Sequence, residues 1–125
     1  DSTDSSKGRV MIVDDSSLIR KMLRGLLEKN GYTVAAEAVN GSEAVNMYDT
    51  VKPDVVTLDI TMPVMDGVEA LKQIKAKDPK ANVIMITAAG QQDKVVEALK
   101  SGANLFIMKP FNEEDVIKNF ENVLK

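Results

Sequence analysis

The chain has 125 residues, 44% of them hydrophobic and 28% charged, with 16 basic against 19 acidic side chains for a net charge of −3. That is enough chain for one domain, too apolar for a disordered segment, and it holds no apolar run long enough to cross a membrane. With no cysteine and no histidine, disulfides, thiolate or imidazole metal sites, Ser-His-Asp and Cys-His triads and a phosphohistidine of its own are all excluded.

Asp1–Lys7 (DSTDSSK) is polar and unpatterned; it reads as a disordered tail or a cloning remnant, leaving 8–125 as the folded unit. Val10–Val13 is a short apolar run that ends in Asp14-Asp15. Ser16–Asn30 sets Leu18, Ile19, Met22, Leu23, Leu26 and Leu27 on one helical stripe and stops at Asn30-Gly31. Tyr32–Ala38 alternates weakly, and a helical stretch, Ser42–Val51, follows. Val55–Asp59 is a third strand, then a loop to Gly67 and a helix carrying Val68, Leu71 and Ile74. Val83–Ile86 leads through Thr87 to a helix over Gln91–Ser101, with Val95, Val96 and Leu99 inward and Gly102 as its stop. Leu105–Met108 is strand five; Glu113–Leu124 is helix five, with Val116, Ile117, Phe120, Val123 and Leu124 inward.

Five strand-then-helix units imply an α/β fold: a five-stranded parallel sheet with five helices on both its faces. Runs one, three, four and five are nearly all apolar, as doubly covered strands require, and the weaker second run fits an edge. The expected order is 2-1-3-4-5, a known order of doubly wound sheets, in which ligands bind beyond the carboxyl ends of the strands. Those ends carry Asp14-Asp15, Asp59, Thr87 and Lys109-Pro110. A pair of like charges about 4 Å apart costs about 4 kcal/mol at an effective dielectric of 20, and one lysine cannot offset three carboxylates. Mg²⁺, a hard cation that keeps several waters beside one or two carboxylates, suits the deficit, and with a lysine beside it suits phosphate. Asp59 is then either a third metal ligand or a nucleophile toward phosphorus, with Thr87 and Lys109 able to bind phosphoryl oxygens.

Taken one at a time these residues have plainer readings. Asp15 or Ser16 caps a helix, Asp59 is a turn residue, Thr87 a β-branched strand residue, Lys109 a solvated charge and Phe106 core. Gly67 and Gly90 read as turn glycines, and Met62-Pro63 as the loop's fastening. Together, Asp14-Asp15, Asp59, Thr87, Lys109-Pro110 and the segment Asp59-Ile-Thr-Met-Pro-Val-Met-Asp-Gly67 resemble the receiver domains of two-component response regulators, over nearly the whole chain from Gly8.

The resemblance implies a flavodoxin-like fold and a signalling switch rather than a turnover enzyme, with Mg-dependent self-phosphorylation and slow self-dephosphorylation. Asp59 would accept phosphate from the phosphohistidine of a histidine kinase. Asp14, Asp15, Asp59 and the backbone carbonyl of Thr61 would hold Mg²⁺; Thr87 and Lys109 would bind the phosphoryl group; Thr87 and Phe106 would be the switch pair. The family has Tyr or Phe at this last position, and Phe106, lacking a hydroxyl, favours the outward state less than a tyrosine would. The family's Lys-Pro bond is cis. Ala88-Ala-Gly-Gln-Gln-Asp93 and the end at helix five are similar to the small stand-alone members of the chemotaxis type, which dock helix four, strand five and helix five on a target such as a flagellar motor switch component. Lys94, Lys100, Asn104 and Lys118 are candidate contacts on that face. A phosphatase is a further possible partner, and nucleic acid and membrane insertion are not expected. A cytoplasmic location follows from the same resemblance. Small Ala88 and Ala89 predict an unhindered acceptor.

Three alternatives stand beside this reading. The chain can be a receiver cut from a longer regulator. An aspartyl-nucleophile phosphatase would place a second acid two residues after Asp59, where Thr61 stands. A flavin or nucleotide binder would need a glycine-rich turn after strand one, where the sequence is Asp14-Asp-Ser-Ser17.

Overall fold

A computed structural model describes residues 6–124. The elements alternate along the chain: β1 (Arg9–Val13), α1 (Ser17–Lys29), β2 (Thr33–Ala38), α2 (Gly41–Val51), β3 (Val55–Asp59), α3 (Gly67–Lys77), β4 (Val83–Thr87), α4 (Gln92–Lys100), β5 (Leu105–Met108) and α5 (Glu113–Val123). All four strand pairings are parallel, and the order is β2-β1-β3-β4-β5. The expected α/β architecture and strand order are both observed.

Alternation along the strands divides the apolar residues between two cores, because successive side chains leave a strand on opposite faces. Val10 and Ile12 join Leu23, Leu27, Ile84, Ile86, Val116 and Phe120 beneath α1 and α5. Met11 and Val13 join Val45, Leu58, Leu71, Ile74, Met85 and Val95 beneath α2, α3 and α4. β3 and β4 are buried at every residue, which the central positions of a doubly covered sheet demand. Thr57, in the middle of β3, has a buried hydroxyl with no hydrogen-bond partner among the described residues.

The structure corrects the sequence reading where that reading covers too much surface. Leu18 and Met22 lie on the solvent side of α1, which buries a narrower stripe around Leu23 and Leu27. Val96 and Leu99 are exposed on α4, which buries only Val95 and Ala98. β5 is not doubly covered: Ile107 is buried, whereas Phe106 and Met108 are 41% and 47% exposed, because β5 is the second edge of the sheet. On α5, Val116 and Phe120 are fully buried, and Ile117, Val123 and Leu124 pack partly against them. Of the expected tail, 1–5 lie outside the described residues. Lys7 donates its backbone N–H to Gly31 at 2.9 Å, and Ser6 accepts from the Thr33 hydroxyl at 2.8 Å, so both run alongside the start of β2.

Candidate functional site

Parallel pairing brings the carboxyl ends of β1, β3, β4 and β5 to one rim. The loop after β1 stays close because Asp14 donates its N–H to Ala38 at 3.1 Å. The Asp14 carboxylate takes the Ser16 N–H at 2.9 Å, and the Ser16 hydroxyl caps α1 by accepting from Ile19. Ser16 is therefore the cap, and Asp15 is free to stand exposed. Asp59 ends β3, and Ile60 continues the ladder by donating to Ile86. Lys109 is aligned through its N–H, which donates to the Thr87 carbonyl at 2.7 Å, and the following Lys109–Pro110 bond is cis.

These backbone constraints converge three carboxylates. Oxygens of Asp14, Asp15 and Asp59 lie within 4.8 Å of one another. Lys109 Nζ sits between two of them, 3.3 Å from Asp14 Oδ2 and 3.2 Å from Asp59 Oδ1. Asp14 and Asp59 are buried and Lys109 is partly so. Burial, and then the negative charge of Asp14, push the Asp59 carboxyl up to about 6, against the pull of Lys109. Lys109 is held above the ordinary lysine range: burial lowers it, but the charges of Asp59 and Asp14 outweigh that. One ammonium against three carboxylates leaves the rim short of positive charge. An all-oxygen donor set of this density fits a hard divalent cation.

Thr87 is buried, and its hydroxyl proton is shared between the Ala88 carbonyl at 3.1 Å and Gln91 Oε1 at 3.2 Å. Thr61 is exposed two residues after Asp59, and its hydroxyl accepts from Gln91 Nε2. Phe106 stands outward, across β5 from buried Ile107, and lines a groove of about 290 Å³ with Thr87, Val95, Val96, Leu99 and Met108. Ala88 and Ala89 are exposed and small, but the side chain bridging the loops beside them is that of Gln91.

Several contributors were invisible as sequence. Gly67 is not a turn glycine but the first residue of α3, and a Cβ there would collide with the Asp59 carbonyl oxygen. The absence of a side chain lets α3 start against the backbone of the acidic strand end. The neighbouring Asp66-Gly67 pair signals only a helix start. Arg20 donates to the Asp14 carbonyl at 2.6 Å and to Glu37 at 3.0 Å, bracing the rim from α1. Among the described residues no helix is long and apolar enough to cross a membrane.

Residues 10–121 match the response regulator receiver domain family. The chain is 54% identical over 117 residues to the chemotaxis protein CheY of Listeria monocytogenes, covering 94% of this chain and 98% of that one. It is 50% identical over 117 residues to the chemotaxis protein CheY of Thermotoga maritima, with the same coverages of 94% and 98%. Among solved structures, a chain of the CheX-CheY-BeF3-Mg+2 complex from Borrelia burgdorferi superposes with a TM-score of 0.89 at 39% identity, covering 94% of this chain and 89% of that one.

Proposed function

The chain belongs to the response regulator receiver family, and from that premise we propose a phosphorylation-controlled chemotaxis switch whose acceptor is Asp59 and whose domain runs from 8 to 125. The carrying observation is the pairing of Asp59 with Lys109 at 3.2 Å inside a carboxylate cluster of which Asp14 and Asp59 are buried. In this reading an Asp59 oxygen forms its bond to phosphorus as the N–P bond of a histidine kinase's phosphohistidine breaks, and the electron pair stays on the imidazole nitrogen. Asp14, Asp15, Asp59 and the Thr61 backbone carbonyl would hold Mg²⁺, which would supply positive charge to offset that of the phosphoryl group. Lys109 ion-pairs with one phosphoryl oxygen and Thr87 donates its hydroxyl to another. Buried Asp14 keeps Lys109 aimed at the acceptor through its own ion pair.

Thr87 must turn toward Asp59 to reach that oxygen, and the space it vacates admits Phe106 from its outward position. The face then remodelled is α4, β5 and α5, where Val96, Leu99, Phe106 and Met108 are exposed. Coupling between rim and face of about 1–3 kcal/mol is the usual scale for such switches. The resemblance to chemotaxis-type receivers supports a downstream target protein, such as a flagellar motor switch component. A phosphatase partner and a cytoplasmic setting are inferred by the same analogy.

The test is Mg-dependent labelling by acetyl phosphate, read by intact mass, in wild type and Asp59→Asn. One phosphoryl group on wild type and none on the variant is expected. Equal labelling of both proteins, or none of wild type, overturns the assignment. Turnover of a small phosphate ester would instead favour the phosphatase reading.

A further inference from the structure

We propose that Gln91 is a positioning residue that latches Thr87 away from the acceptor, setting how often the unphosphorylated protein is ready to receive a phosphoryl group; this rests on the switch reading above. Gln91 Oε1 accepts two hydrogen bonds, from the Thr87 hydroxyl at 3.2 Å and from the Ala88 N–H at 2.9 Å. Its Nε2 donates to the Thr61 hydroxyl on the neighbouring β3–α3 loop. One amide thus ties the turn after β4 to the loop after β3, and the residue it holds at the centre is the hydroxyl that phosphoryl binding needs.

The amide is not used for capping. Ser16, Asn40, Asp66 and Asn112 each close the first turn of their helix with a side-chain oxygen, whereas Gln91, at the same position before α4, makes no such bond. Its hydrogen-bonding capacity is directed backward, onto the strand end and across to Thr61. The Thr87 hydroxyl has one proton, already shared between the Ala88 carbonyl and Gln91. Donating it to a phosphoryl oxygen requires giving up Gln91. The bond therefore stabilises the unphosphorylated arrangement alone, and a state-selective contact of this kind shifts the population rather than the chemistry.

The experiment compares wild type, Gln91→Ala, Thr61→Val and the double variant in two readouts. The first is the initial rate of Mg-dependent labelling by acetyl phosphate. The second is the ¹³C-methyl NMR signal of Thr87 in protein without metal or donor, which a merely structural helix-start role would leave in place. Each single variant is expected to label about two- to tenfold faster, the net effect of one neutral hydrogen bond, with the Thr87 signal displaced. The double variant is expected to be no faster than the faster single, because both changes cut the same strap. Unchanged or slower labelling in Gln91→Ala and Thr61→Val, with wild type labelled normally, overturns the latch and leaves the switch reading standing. An unmoved Thr87 signal overturns it as well. Failure of wild type to label overturns the switch reading instead, and the Thr87 signal still decides the latch.

Discussion

Two clusters of charged side chains flank α1, and the chain treats their carboxylates in opposite ways. On the outer side, Glu37 lies between two guanidinium groups, 3.0 Å from Arg20 Nε and 2.7 Å from Arg24 Nε. The Arg24 hydrogen bond, joined by that from Arg20, holds the Glu37 carboxyl below its ordinary range in spite of partial burial. On the inner side, Asp14 and Asp59 share Lys109 with Asp15 beside them, and Asp59 is pushed up to about 6 by burial and the charge of Asp14. The first cluster is neutralised within the protein and braces β2 against α1. The second is left short of cations, a costly arrangement that makes sense where a metal and a phosphoryl group come and go.

The contrast breaks first at Lys109. Lys109→Met should lower the rate of phosphorylation by acetyl phosphate about 10²–10³-fold, the scale for losing one preorganised charge at a reacting centre. A loss under threefold would remove Lys109 from the phosphoryl site. On the outer side, Glu37→Gln should leave labelling within about twofold but cost about 1–2 kcal/mol in urea unfolding, since two partly exposed charged hydrogen bonds are weakened. If Glu37→Gln is neutral, the clamp contributes nothing and the contrast fails.

The pH dependence of stability sharpens the contrast because the signs differ. In metal-free protein the folded state keeps the Asp59 proton up to about 6, while the unfolded chain releases it near pH ~4. Between those values the folded state binds more protons, so the Asp59 contribution to stability falls as pH rises and stays low above pH ~6. Glu37 behaves oppositely. Its lowered pKa gives stability that is present above the unfolded glutamate value near pH ~4.3 and lost as pH falls through the folded one. Urea unfolding in EDTA from pH 4 to 7 should show the decline flattened by Asp59→Asn and untouched by Glu37→Gln. The smallest effect concerns β3 itself. Thr57→Val removes a buried hydroxyl without a partner and should stabilise the fold by about 1 kcal/mol with labelling unchanged. Destabilisation would mean that the hydroxyl is satisfied in solution.

What the sequence made legible follows from topology. Parallel strands bring their carboxyl ends to one edge whatever the loops do, so Asp14, Asp59, Thr87 and Lys109 fall together on strand order alone. The faces of the helices and of β5 were harder. A four-residue apolar run such as Leu105–Met108 looks the same whether one face or both are covered, and only the edge position of β5 decides it. Likewise the stripe containing Leu18 and Met22 is wider than the surface α1 can bury. Gly67 announced a break in side-chain pattern but not the close approach of α3 to the Asp59 backbone. Gln91 and Glu37 gave no signal because their partners lie on other elements, up to 30 residues away for Gln91 and Thr61.

The inner cluster meets its most direct trial in calorimetric titration with Mg²⁺ of wild type and of Asp14→Asn, which keeps the shape of the buried side chain and removes its charge. Saturable one-site binding to wild type, lost or severely weakened in the variant, is the predicted result. Absence of binding to wild type, or equal affinity in both proteins, would contradict the view that the inner carboxylates are an unfinished site awaiting a divalent cation.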